Sequence, residues 1–121
     1  MLGVNVKGFH SLFDKAKESA KLSGVLLACA LAIGFPFYTQ TISLVGFSLG
    51  CQVAKSCVKT LFALEANDVI QNVTFLGGAA DCLDKGKHKE NWELILHSTI
   101  PGIVKNVYTR KDVILILYAA S

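Results

Sequence analysis

Residues 41–61 read TISLVGFSLGCQVAKSCVKTL, with Ser48 near their centre. Ile42-Ser43-Leu44-Val45 is a short β-prone run, and from Leu49 onward apolar residues recur at helical spacing. Ser48 therefore falls where a buried strand turns sharply into a helix. Gly46-Phe47-Ser48-Leu49-Gly50 has the form G-x-S-x-G, that of a nucleophile elbow, in which a strained turn lifts a serine hydroxyl over the end of a sheet. Side chains two positions before and after the serine are expected to collide with the neighbouring strand and helix, which accounts for glycine at both. The same letters occur in ordinary Gly-rich turns with a solvated serine, so the motif takes its weight from the order strand, turn, helix.

Upstream, the pattern is helical from about Val6 or Ser11 to Ile33. Phe9, Phe13, Ala16, Ala20, Gly24, Leu27 and Leu31 share one face, and Asp14, Lys15, Lys17, Glu18 and Lys21 form a solvated face on the first half. Ser11 with Asp14 is a weak capping box, and Gly34 with Pro36 is a plausible stop, so the helix is expected over about 6–34. No charge occurs between Lys21 and Lys55. Within that interval Leu22 to Tyr38 reaches the lower limit of the ~17–25 residues that span a bilayer. Gly24, Gly34 and Pro36 interrupt it, and the reading adopted is a buried helix feeding a buried strand. Membrane association stays open as an expectation.

Downstream, Leu49, Val53, Cys57, Leu61 and Leu64 make an apolar stripe expected to pack on the sheet. Gln52, Lys55, Lys59 and Glu65 take polar positions on a helix over about 49–64. Residues 70–77, centred on Val73-Thr74-Phe75-Leu76, read as a second strand ending in Gly77-Gly78, with Asp81 just beyond. The loop from Asp81 to Glu90 carries Lys85, Lys87, His88 and Lys89 without an interleaved aromatic residue, so it reads as solvated surface rather than a nucleic-acid patch. A short helix over 91–98, a strand over 103–108 and a helix over 113–120 complete an α/β rhythm. Short crossovers of this kind imply a parallel sheet of about three strands with right-handed connections, covered by helices in a three-layer α/β/α arrangement.

The 121 residues amount to one domain, long enough to bury a core. Hydrophobic residues make up 52% and charged residues 17%, which excludes a disordered chain. A net charge of +3 spread over both ends says little about an acidic partner, and no nucleic-acid partner is expected. Cys29, Cys51, Cys57 and Cys82 show no C-x-x-C spacing, and no secretory leader is expected before them. Reduced, mostly buried thiols in an intracellular protein are expected, with no metal and no cofactor.

For Ser48 to act as a nucleophile it must pass its proton to a base, usually a histidine oriented by a carboxylate. Asp112 is the best-placed acid, because it follows the third strand and lies on the same edge of a parallel sheet as Ser48. It reads equally as the N-cap of the last helix. Asp81 is the reserve acid and otherwise a turn aspartate. No histidine follows Asp112, and His97, before the third strand, belongs at the opposite end of the sheet. His88 and His10 are irregular choices of base, and both read as surface residues. The backbone N–H of Leu49 is the expected oxyanion donor.

The LVGFSLG stretch, the strand Val73-Thr74-Phe75-Leu76-Gly77-Gly78-Ala79, Trp92, and Ile103-Val104-Lys105-Asn106-Val107-Tyr108 followed by Asp112 resemble the transmembrane and coiled-coil domain-containing protein 4 family, a group of α/β-hydrolase-like proteins. The resemblance runs from about Phe9 to Tyr118. It implies a partial α/β-hydrolase fold, a serine-nucleophile arrangement using Ser48 and Asp112, and a histidine lying beyond the point where this sequence stops. The chain is therefore expected to be a segment of a serine hydrolase for ester or lipid-type acyl substrates, incomplete and inactive by itself. The alternative is a non-catalytic membrane-associated or protein-binding module that keeps the fold. Expected partners are a membrane or lipid and, through an open sheet edge, a second copy of the chain.

Overall fold

The computed structural model describes residues 6–36, 40–77 and 92–107. A long helix, α1 (Val6–Ala32), is followed by strand β1 (Ile42–Phe47), helix α2 (Gly50–Ala63), strand β2 (Ile70–Leu76), helix α3 (Trp92–Thr99) and strand β3 (Val104–Val107). The strands form one parallel sheet in the order β1-β2-β3. Crossover helices on a short parallel sheet make this an α/β fold, consistent with part of a three-layer α/β/α architecture.

Alternation along the strands separates the two faces of the sheet. Leu44 and Gly46 of β1 stand level with Val73 and Phe75 of β2 and face the core. The intervening Val45 and Phe47 are 66% and 75% exposed. The register shifts between Ile42 and Ser43. Just there, Asn72 ties the strand starts together, its Nδ2 donating to Ser43 Oγ at 3.1 Å and its Oδ1 accepting from the Ile103 N–H at 2.9 Å.

The core runs through α2. Cys51, Ala54, Val58 and Leu61 are buried and recur every three or four residues on one side of the helix, where they join Ile70, Val73 and Phe75. Each buried aliphatic side chain of this size stabilises the fold by about 1.5–3 kcal/mol. On another side α2 meets α1. A Cβ at Gly24 of α1 would meet the Val53 carbonyl oxygen and lie 2.5 Å from Ser56 Cβ and 2.9 Å from the Cys57 nitrogen, so only glycine permits this approach. Ser56 Oγ seals the crossing by donating to the Lys21 carbonyl at 2.6 Å.

Three expectations change on this basis. The Val53–Cys57 side of α2 lies against α1 at Gly24, and the sheet takes the side that begins at Cys51. Gln52 and Lys55, placed at polar positions, are only 5% and 8% exposed, because α2 has neighbours on several sides. Lys55 Nζ lies 5.6 Å from the centre of the Trp92 ring, a cation–π contact that shelters its charge. Finally, the uncharged half of α1 is not buried all round. Ala28 and Leu31 are buried, as is Gly24, while Leu22, Leu26 and Ile33 are exposed.

Candidate functional site

Ser48 follows β1 directly and stands two residues before α2, at the C-terminal edge of the parallel sheet. Its φ is 51°, in the left-handed region that a side chain normally avoids at a cost of about 1–2 kcal/mol. Local bonds hold it there. The Ser48 N–H donates to the Leu76 carbonyl at the end of β2 at 2.8 Å, and the Ser48 carbonyl accepts from the Cys51 N–H at 3.1 Å. The turn is thus pinned both to the adjacent strand and to the helix it opens.

The two motif glycines differ. A Cβ at Gly46 would lie 2.9 Å from Cys51 Cα, 2.9 Å from the Gly50 carbonyl oxygen and 3.0 Å from the Cys51 nitrogen, all backbone atoms. Strand and helix therefore touch at Gly46. A Cβ at Gly50 meets no described atom within 4 Å, so the expected collision there does not occur among the described residues. Among the described residues, Gly50 has room for a side chain where Gly46 has none.

Leu49 caps α2 with helical backbone angles and no side-chain cap. Neither its N–H nor that of Gly50 has an acceptor among the described residues. Two backbone donors thus stand open at a helix N-terminus, where the helix dipole favours negative charge. The Gly50 N–H is an addition to the sequence reading, signalled only by its place in the first helical turn.

The remaining site candidates do not assemble around Ser48. Its half-buried Oγ makes no hydrogen bond to a described residue. Asp81, His88 and Asp112 lie outside the described residues. His10 sits on α1 against Phe9, ring centroids 6.2 Å apart. His97 lines an open pocket with Glu93, Ile100, Gly102 and Val104 at the start of β3, the end of the sheet away from Ser48. Among the described residues no His, Cys, Asp and Glu group could hold a metal ion. No described helix is long and apolar enough to cross a membrane.

Of the cysteines, Cys29 is exposed while Cys51 and Cys57 are buried, and Cys82 lies outside the described residues. Burial, with a smaller contribution from Cys29, pushes the Cys57 thiol up to about 12. It is an inert core group rather than a nucleophile.

A family model described as a protein of unknown function, DUF726, matches residues 9–121. The chain belongs to the DUF726 family. The match takes in every strand of the sheet, the Ser48 turn and nearly all of α1. No curated protein and no solved structure matches this DUF726 chain.

Proposed function

We propose that this DUF726 chain carries the nucleophile segment of an α/β-hydrolase-like serine hydrolase acting on ester or lipid-type acyl substrates. The observation that carries the reading is Ser48 at φ 51°, between a parallel strand and a helix, beside a Leu49 N–H that has no acceptor among the described residues. In this reading Ser48 Oγ attacks the acyl carbon, and the Leu49 N–H receives the negative charge that develops on the carbonyl oxygen. Asp112 orients the histidine that takes the serine proton. The resemblance to the transmembrane and coiled-coil domain-containing protein 4 family supports the same assignment. Ser48 Oγ has no base among the described residues, and we propose that the 121 residues by themselves turn over little or no substrate.

The test is active-site labelling with a fluorophosphonate, with and without imidazole as a diffusible base. Without imidazole Ser48 stays unmodified. With it, Ser48 is labelled in preference to the other serines, and the selectivity disappears on denaturation or in Ser48→Ala. Stoichiometric labelling without imidazole that is lost in His88→Ala would make His88 the base. Absence of selective labelling at any imidazole concentration would overturn the hydrolase reading in favour of a non-catalytic binding module.

A further inference from the structure

Cys51 is fully buried one turn into the region that follows Ser48, and its thiol is not part of the chemistry described above. Its Sγ lies 3.2 Å from the Gly46 carbonyl oxygen and 3.6 Å from the Leu76 carbonyl oxygen. These are the carbonyls on either side of the turn. Gly46 precedes Ser48 by two residues on β1, and the Leu76 oxygen is the same atom that accepts the Ser48 N–H. A carbonyl oxygen has two lone pairs, so Leu76 can accept from both the serine amide and the thiol. The thiol stands within hydrogen-bonding reach of both strands, and the Cys51 N–H closes the third side by donating to the Ser48 carbonyl.

We propose that Cys51 is the positioning residue of the Ser48 turn: its thiol clamps the C-terminal ends of β1 and β2 together, fixing the left-handed conformation that presents the serine hydroxyl. The functional meaning of the clamp rests on the reading of Ser48 as a nucleophile, whereas the clamp itself is observable without it. A thiol suits the place because it packs as a small apolar group while keeping a weak S–H donor for the carbonyls. Valine fills nearly the same space with no donor, and serine keeps a donor on a shorter bond.

The experiment is residue-resolved amide hydrogen exchange of the 121-residue chain, read by mass spectrometry, on wild type, Cys51→Val, Cys51→Ala and Cys51→Ser. The net worth of a hydrogen bond sets the expected effect: the Ser48 amide exchanges roughly five- to tenfold faster in Cys51→Val and Cys51→Ala. Cys51→Ser restores it to within about twofold of wild type, a rescue that packing alone would not give. The amides of Leu61 and Val73 report the integrity of the core and stay unchanged. A Cys51→Val chain whose Ser48 amide is as protected as wild type overturns the proposal and leaves Cys51 a space filler. Should the variants not fold, the S–H stretch of Cys51 in wild type decides: a band below the free-thiol position is expected, and a free-thiol band overturns the clamp. Imidazole-dependent labelling of Ser48 should fall in parallel with protection of its amide. If labelling is absent throughout while the exchange pattern holds, the hydrolase reading fails and the clamp stands.

Discussion

Replacing Gly46 and Gly50 by alanine should move stability in opposite directions. At Gly46 the new methyl would sit 2.9 Å from Cys51 Cα and from the Gly50 carbonyl oxygen, and 3.0 Å from the Cys51 nitrogen. Backbone atoms in the first turn of α2 cannot rotate aside as a flexible side chain does. The helix start must retreat by roughly 0.5 Å or more to restore an ordinary separation, drawing the Cys51 thiol away from Gly46. Overpacking of this kind costs about 1–3 kcal/mol. At about 4 °C per kcal/mol for a chain of this size, the midpoint should fall by about 4–12 °C. At Gly50 the methyl meets no described atom within 4 Å. Alanine at a helical position gains up to about 1 kcal/mol over glycine, so the midpoint should rise by up to about 4 °C. Thermal melts of the two single variants followed by circular dichroism provide the measurement. Equal losses at both positions, or a Gly46→Ala chain that melts with wild type, would refute the close strand–helix contact and the steric asymmetry of the motif.

Ser48→Gly should stabilise the fold by a few tenths to about 1 kcal/mol in urea titrations, since glycine accepts φ 51° without the side-chain penalty. A loss of stability would show that the serine is not strained. With iodoacetamide on the folded chain, Cys29 should react and Cys51 and Cys57 should not; rapid alkylation of Cys57 would contradict its burial. Because the folded Cys57 keeps its proton to about 12 while the unfolded thiol loses it near 9.0, its stabilising contribution is whole below pH 9.0 and declines between those values. Cys57→Val should remove that part of the alkaline decline in urea titrations, and an unchanged decline would assign it to other groups. We also propose that β1, an uncharged edge strand among the described residues, drives self-association. Sedimentation should show the association weakened in Val45→Lys, and a monodisperse wild-type monomer would oppose it.

The strand–turn–helix around Ser48 was legible because three independent signals adjoin: a β-prone run, glycines flanking a serine, and a change of period from two to 3.6. The parallel sheet followed from the alternation of strands and helices. What was not legible depends on neighbours distant in sequence. Gln52 and Lys55 have polar side chains, and their burial comes from neighbours that the local pattern does not announce, such as Trp92 beside Lys55. Conversely, Leu22 and Leu26 belong to an uncharged run, yet they project from the side of α1 turned away from Gly24 and remain exposed. No pattern of letters announces that the thiol of Cys51 and the amide of Ser48 converge on one carbonyl, since Leu76 lies twenty-five residues from Cys51. The acids Asp81 and Asp112 and the histidine His88 rest on chain order alone, being outside the described residues.

Trp92 is the single tryptophan of the sequence, and its ring faces the ammonium of Lys55 across the junction of α3 with α2. The molecule therefore carries its own optical gauge of that junction. A cation over the indole face alters its emission, so fluorescence follows the docking of α3 in real time, separately from the ellipticity that follows the helices themselves. Divergence of the two signals during denaturation would reveal α3 leaving α2 while the other helices stay folded.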